Sequence, residues 1–176
     1  IIRVNEYAYV LAKQHGMSEA FCDEIRYSAQ LHDVGKMSVN TAVLMKKGML
    51  TPEERAEMDR HPFYGYTILK QSDRLKMAAD IAYCHHEKWA GTGYPRGLKG
   101  DKIPISARIV QLADIYDALR AERPYKEGYS HDAACKVILE GDNKIDPKEH
   151  FDPDLLESFK KCHKEFDRVW KSFMDR

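Results

Sequence analysis

Apolar residues along this chain return every three to four positions rather than every second one, a period that predicts helices almost throughout. Val4, Tyr7, Ala8 and Leu11 share one face of a first helix, which His15-Gly16 should stop. Ser18 is placed to cap a second helix running to about Leu31, with Phe21, Ile25, Ser28 and Ala29 on one side. "LTPEERAEM" is the clearest helix start, with Thr51 as cap, Pro52 in the first helical position and Glu54 closing a capping box. "SDRLKMAADIAYCHHE" predicts another helix, capped by Ser72 or Asp73 and delivering His85 and His86 at its end. The period resumes from Ser106 to about Leu119 through Ile109, Leu112, Ala113 and Tyr116. A last helix starts at "DPDLL" with Asp152 as cap, and Leu155, Phe159, Cys162, Phe166, Val169 and Phe173 form a long stripe suited to core packing. "GTGYPRGLKGDKIP" holds too much glycine and proline for a helix and should be an irregular loop, with room for a short β-hairpin. No run alternates long enough for a sheet, and no repeat is visible. The expected fold is all-α, a helical bundle with one large irregular loop.

Length and charge narrow the picture. A chain of 176 residues can bury one proper core, so a single domain over 1–176 is expected. It carries 28 basic and 28 acidic side chains, a balance that argues against a binder of nucleic acid polymers or anionic membranes. An anionic ligand would have to be met by a local cluster. No apolar run approaches bilayer length, and the opening "IIRVNEYAYV" is helical rather than a signal peptide. The chain starts without Met, so it reads as a fragment of a longer protein. Cys22, Cys84, Cys135 and Cys162 are widely spaced with no CxxC pair, as expected for reduced, buried thiols in the cytoplasm.

The residues able to carry chemistry are His32-Asp33, His61, His85-His86 and Asp114. Each is weak alone. Asp114, however, lies among Leu112, Ala113 and Ile115, where a lone carboxylate is costly unless paired or metal-bound. Adjacent helical residues diverge by about 100°, so a doublet chelates one ion poorly but can serve two neighbouring ions. There are two such doublets, and a carboxylate can bridge two ions where an imidazole cannot. Asp33 is therefore the natural bridge. The donors are nitrogen and oxygen only, which favours iron or manganese, with zinc, nickel or cobalt following. Such ions would lower the pKa of a bound water. Lys36 in "HDVGK" should sit about one turn from Asp33, placed to hold a phosphate oxygen. Arg123 and Lys126 in "ERPYK", and Tyr94 between Gly93 and Pro95, are further candidates for a phosphate or a planar base. His15, His131, His150 and His163 are expected to be solvated or structural.

These motifs together resemble the HD-GYP branch of the HD phosphohydrolases. "LHDVGK", "LTPEE", "HPFYGYTIL", "HHEKWAGTGYPRGLKGDKIPISARIV", "LADIYDAL" and "RPYK" fall in that family's order over nearly the whole chain. The resemblance implies a helical fold with two or three metal ions, held by His32, Asp33, His61, His85, His86 and Asp114. It suggests Lys36, Tyr94, Arg123 and Lys126 as substrate contacts. It implies hydrolysis of cyclic di-GMP, often down to GMP, or of cyclic GMP-AMP, in bacterial signalling. An upstream sensory or receiver domain and a diguanylate cyclase docked on the GYP loop are the partners it suggests. Two stretches depart from the family: Met37, Ser38, Val39, Asn40 and Thr41 replace Ile-Gly-Ile-Pro-Asp, and Ala90 replaces a common Asp. The family's His-x-x-Arg-Val also aligns so that a first ligand His would precede Ile1, leaving the first helix truncated here. The competing reading is a module of weak turnover that senses a cyclic dinucleotide or docks a cyclase.

Overall fold

A computed structural model describes residues 2–122 and 127–174. All regular structure among them is helical. The chain runs α1 (Ile2–Gln14), α2 (Glu19–Ser28), α3 (Thr41–Leu44), α4 (Pro52–Met58), α5 (His61–Leu69), α6 (Lys76–Cys84), α7 (Ile105–Arg120), α8 (His131–Glu140), α9 (Pro147–His150) and α10 (Pro153–Met174). Short 3₁₀ turns at Ala29–Leu31, Val34–Ser38, Asp73–Leu75 and Gly100–Lys102 join them.

The expected caps form. The Ser18 hydroxyl accepts from the Phe21 amide, and Thr51 and Glu54 make the reciprocal capping box. Asp152 Oδ1 accepts from the Asp154 amide at 2.9 Å. The helix leading to His85 starts later than expected. A 3₁₀ turn occupies Asp73–Leu75, and neither Ser72 nor Asp73 caps α6. The irregular loop forms no hairpin among the described residues. The two residues that enter it pair by backbone with α9, through Trp89 N to His150 O (3.2 Å) and Ala90 N to Glu149 O (3.0 Å).

The core gathers α1, α2, α6, α7, α8 and α10. Tyr7 stacks on Phe166 with ring centroids 4.8 Å apart and meets Tyr116 edge-on at 5.2 Å. Leu155, Phe159 and Phe166 of the α10 stripe are fully buried, each worth about 1.5–3 kcal/mol of burial. The four cysteines are buried and free. Among the described residues no helix is long and apolar enough to cross a membrane.

Two contacts outside this core position the chemistry. Gly35 lies so close to α5 that a Cβ there would sit 1.9 Å from His61 O and 2.4 Å from Gly65 N. Only glycine lets the turn after His32-Asp33 press against the start of α5. Small residues Ala78, Ala79 and Ala82 then let α6 pack close by. Three segments far apart in sequence thus end at one place.

Candidate metal centre

Asp33 occupies the middle of that place. Its Oδ2 is 3.5 Å from His32 Nε2, which in turn is 3.5 Å from Asp114 Oδ1. Its Oδ1 is 3.3 Å from His61 Nε2 and 3.7 Å from His85 Nε2. His86 Nε2 lies 3.2 Å from His61 Nε2, and His61 Nε2 lies 3.4 Å from His85 Nε2. One atom from each of Asp33, His61, His85 and His86 falls within 4.8 Å of the others. The structure therefore brings all six sequence candidates together, His32 and Asp114 on one side of Asp33 and three imidazoles on the other.

Backbone carbonyls set the imidazole tautomers. His32 Nδ1 is 2.7 Å from Ala29 O, His61 Nδ1 is 2.8 Å from Met58 O, and His85 Nδ1 is 3.1 Å from both Ile81 O and Ala82 O. A carbonyl can only accept, so each Nδ1 carries a proton and each Nε2 is the atom turned to the cluster. Burial works to lower the pKa of His32, but the neighbouring Asp114 and Asp33 outweigh it and raise it. Burial lowers the pKa of His85, and burial with the neighbouring His85 and His61 lowers that of His86, so both are neutral near pH 7. Burial alone would raise the Asp33 carboxyl, but His61, His85, His32 and Lys36 outweigh it and hold it well below the usual range. Ligand atoms thus converge on shared points around Asp33, and a cation is a group that can satisfy them together. The donor set fits divalent metal.

Asp114 is less enclosed than its apolar neighbours imply. Its side chain is 37 % exposed, because the carboxylate leaves the packed side of α7 to meet His32. Lys36 Nζ donates to Asp33 Oδ2 at 2.5 Å, which leaves two further N–H groups. The Tyr94 ring stacks on His86, centroids 4.8 Å apart and planes 15° apart. Arg123 and Lys126 lie outside the described residues.

The HD domain family profile matches residues 2–149. The chain belongs to the HD domain family. It is 41 % identical over 167 residues to a Thermotoga maritima cyclic di-GMP phosphodiesterase, covering 94 % of this chain and 44 % of that protein. It is 39 % identical to the Vibrio cholerae 3'3'-cGAMP-specific phosphodiesterase 2, covering 98 % of this chain and 33 % of that one. The chain thus spans less than half the length of these relatives. An HDG"Y"P protein from Bdellovibrio bacteriovorus shares the fold, with a TM-score of 0.69 at 21 % identity over 93 % of this chain and 51 % of that one. The motif run of the HD-GYP branch is thus set in an HD-domain helical fold.

The HD domain also uses a residue to which the sequence assigned no role. Glu87 follows the histidine pair and is only 1 % exposed. Its Oε1 accepts from the Arg96 amide at 2.8 Å and its Oε2 from the Leu98 amide at 2.9 Å. Gln111 of α7 donates to the Glu87 carbonyl at 2.6 Å. One buried carboxylate thereby holds the GYP loop over His86. An acid between two histidines and a glycine-rich loop was the available signal. Gly93 approaches the same backbone, where a Cβ would lie 2.4 Å from Lys88 N and 2.5 Å from His86 O. The two departures from the family pattern also have local accounts. Asn40 caps α3 by accepting from the Ala42 amide at 2.9 Å, and the Ala90 segment is anchored through its backbone.

Proposed function

We propose that this HD domain is a metal-dependent phosphodiesterase that opens the ring of cyclic di-GMP and carries the product on to GMP. The observation that supports it most is Asp33, whose two oxygens face two separate groups of acceptors. His32 and Asp114 would hold one ion, His61, His85 and His86 another, with Asp33 between them. Two or three divalent ions suit the set, iron or manganese before zinc, nickel or cobalt, since no thiolate is present. When bound, they supply an acidified water and neutralise charge on the phosphate. Lys36 turns its remaining N–H groups to a phosphate oxygen, Tyr94 borders the base, and Arg123 and Lys126 are proposed as further contacts. The relatives named for cyclic di-GMP and for 3'3'-cGAMP support a cyclic dinucleotide as the substrate class. Residues 1–176 are taken as one such domain, cytoplasmic, with an upstream sensory or receiver domain and a diguanylate cyclase at the GYP loop as partners.

The test is product analysis. Protein loaded with iron or manganese is incubated with cyclic di-GMP and, separately, with 3'3'-cGAMP, and products are separated by chromatography. Linear dinucleotide and GMP from the first substrate support the reading. Tight binding of either nucleotide without product would instead make the domain a sensing module.

A further inference from the structure

A second cluster of metal-ligating side chains lies on the other side of α7. Asp114 and Tyr116 are two residues apart on that helix, about 200° around it, so they face opposite ways. Tyr116 points into the core, where its hydroxyl is 2.8 Å from His131 Nδ1. His131 opens α8, and Cys135 follows one turn later on the same face. His163 approaches from α10, with Nδ1 2.9 Å from His131 Nε2. Cys135 Sγ is 3.6 Å from His131 Nε2. One ligand atom from each of the three residues lies within 4.8 Å of the other two.

We propose that His131, Cys135 and His163 form a second cation site, selective for a thiophilic divalent ion of the zinc class, that ties α8 to α10. The spacing suits the ion. Tetrahedral zinc, with metal–ligand bonds of about 2.3 Å to sulfur and about 2.0–2.1 Å to nitrogen, separates a sulfur and a nitrogen ligand by about 3.6 Å and two nitrogens by about 3.3 Å. The distance from Cys135 Sγ to His131 Nε2 already has that value, and the His131–His163 nitrogen pair, at 2.9 Å, needs to open by only about 0.4 Å. A cysteine one turn from a histidine on one helix face is an arrangement that lets both reach the same ion. The thiolate makes this site chemically unlike the nitrogen and oxygen set around Asp33 and biases it toward softer ions.

Binding balances simply. The thiol proton is released to solvent, leaving the thiolate as ligand. The proton between His131 Nε2 and His163 Nδ1 comes to rest on His131 Nδ1, where the Tyr116 oxygen accepts it. As ligands both imidazoles are neutral, and the proton released on binding is that of the thiol. Arg120 Nη1 donates to the Tyr116 hydroxyl at 2.7 Å and to Asp167 Oδ1 at 3.0 Å, so the second histidine nitrogen rests on a fixed partner. Three protein ligands leave a fourth position for water.

Cobalt titration of the full chain separates this site from the one around Asp33. A thiolate-to-cobalt charge-transfer band can arise only where sulfur binds. The band is expected to appear and saturate in the unaltered protein, to be removed by zinc, and to be lost in Cys135→Ser. His163→Gln should weaken cobalt binding at least about tenfold, since loss of a partner behind a ligand already costs that much. Asp33→Asn should leave the band in place. No band at excess cobalt, a band that survives Cys135→Ser, unchanged affinity in His163→Gln, or loss of the band in Asp33→Asn would each overturn the proposal. Circular dichroism of each variant confirms that the helices are formed before the band is read.

Discussion

Asp33 must serve two groups of neighbours with two oxygens, and that division gives it a different weight from Lys36. Asp33→Asn exchanges one oxygen for an amide that cannot bind a cation, so one side of the cluster loses its shared ligand. Metal content and turnover are expected to fall together, and full metal content with full rate in Asp33→Asn would reject the bridging role. Lys36→Ala removes a charge donor but no ligand. It should retain metal and lose turnover by about 2–4 kcal/mol of barrier, the range for a preorganised donor at a developing charge. Glu87 acts at one remove. Glu87→Gln keeps one acceptor but turns an amide N–H toward a backbone N–H, so one of the two loop bonds is lost, at about 1.5–3 kcal/mol for a bond to a charged group. Hydrogen exchange at the Arg96 and Leu98 amides should quicken while metal content is unchanged. Unaltered exchange at both amides would show that the carboxylate does not hold the loop.

Helices are joined here by polar ties as well as by the aromatic core, and the Arg120–Asp167 pair between α7 and α10 is the one most open to test. Arg120 and Lys171 donate to Asp167, at 3.0 and 2.6 Å, and His131 also faces it. Burial works to raise the Asp167 carboxyl, but Lys171, Arg120 and His131 outweigh it and lower its pKa. A carboxylate with a lowered folded pKa stabilises the fold above its unfolded value, near 3.9, and that contribution is lost as pH falls through the folded value. Asp167→Asn should therefore cost about 1.5–3 kcal/mol near neutral pH and progressively less in acid. Thermal midpoints of both proteins across pH read this directly, and a constant difference at every pH would count against it. Element ends were legible where a side chain caps them, as at Ser18, Thr51 and Asp152. They were not legible where a tight turn intervenes, as at Asp73–Leu75, because 3₁₀ turns are common at helix ends and no side-chain cap marks the change to α6. No expectation covered α8, although Ser130 caps it by accepting from the Ala133 amide at 3.2 Å. The loop was expected from glycine and proline count alone, with room for a hairpin, and that count cannot reveal that the backbone entering the loop pairs with the end of α9.

At the scale of the whole molecule, the six candidate ligands could be named from their chemistry, but what gathers them could not. His32-Asp33 and His61 meet only because Gly35 allows backbone to press on backbone, and no side-chain pattern records a contact made by an absent Cβ. The same gathering has a thermodynamic consequence. With Nδ1 protons committed to carbonyls, the Nε2 atoms of His61 and His85 face each other and Asp33 Oδ1 across 3.3–3.7 Å. A cation bound here would give these atoms a shared partner and tie together the start of α5, the end of α6 and the turn before Lys36. A cation that binds the folded state alone stabilises it by mass action, about 2.7 kcal/mol at a hundredfold excess over its dissociation constant. Chelation should therefore lower the thermal midpoint as well as abolish turnover, and re-addition of iron or manganese should restore both. In Asp33→Asn the metal-dependent part of the midpoint should shrink, since the shared ligand is gone. Calorimetry of the two proteins, chelated and reloaded, measures the difference of differences. A midpoint that ignores metal in the unaltered protein would mean that the six side chains are held together without any cation.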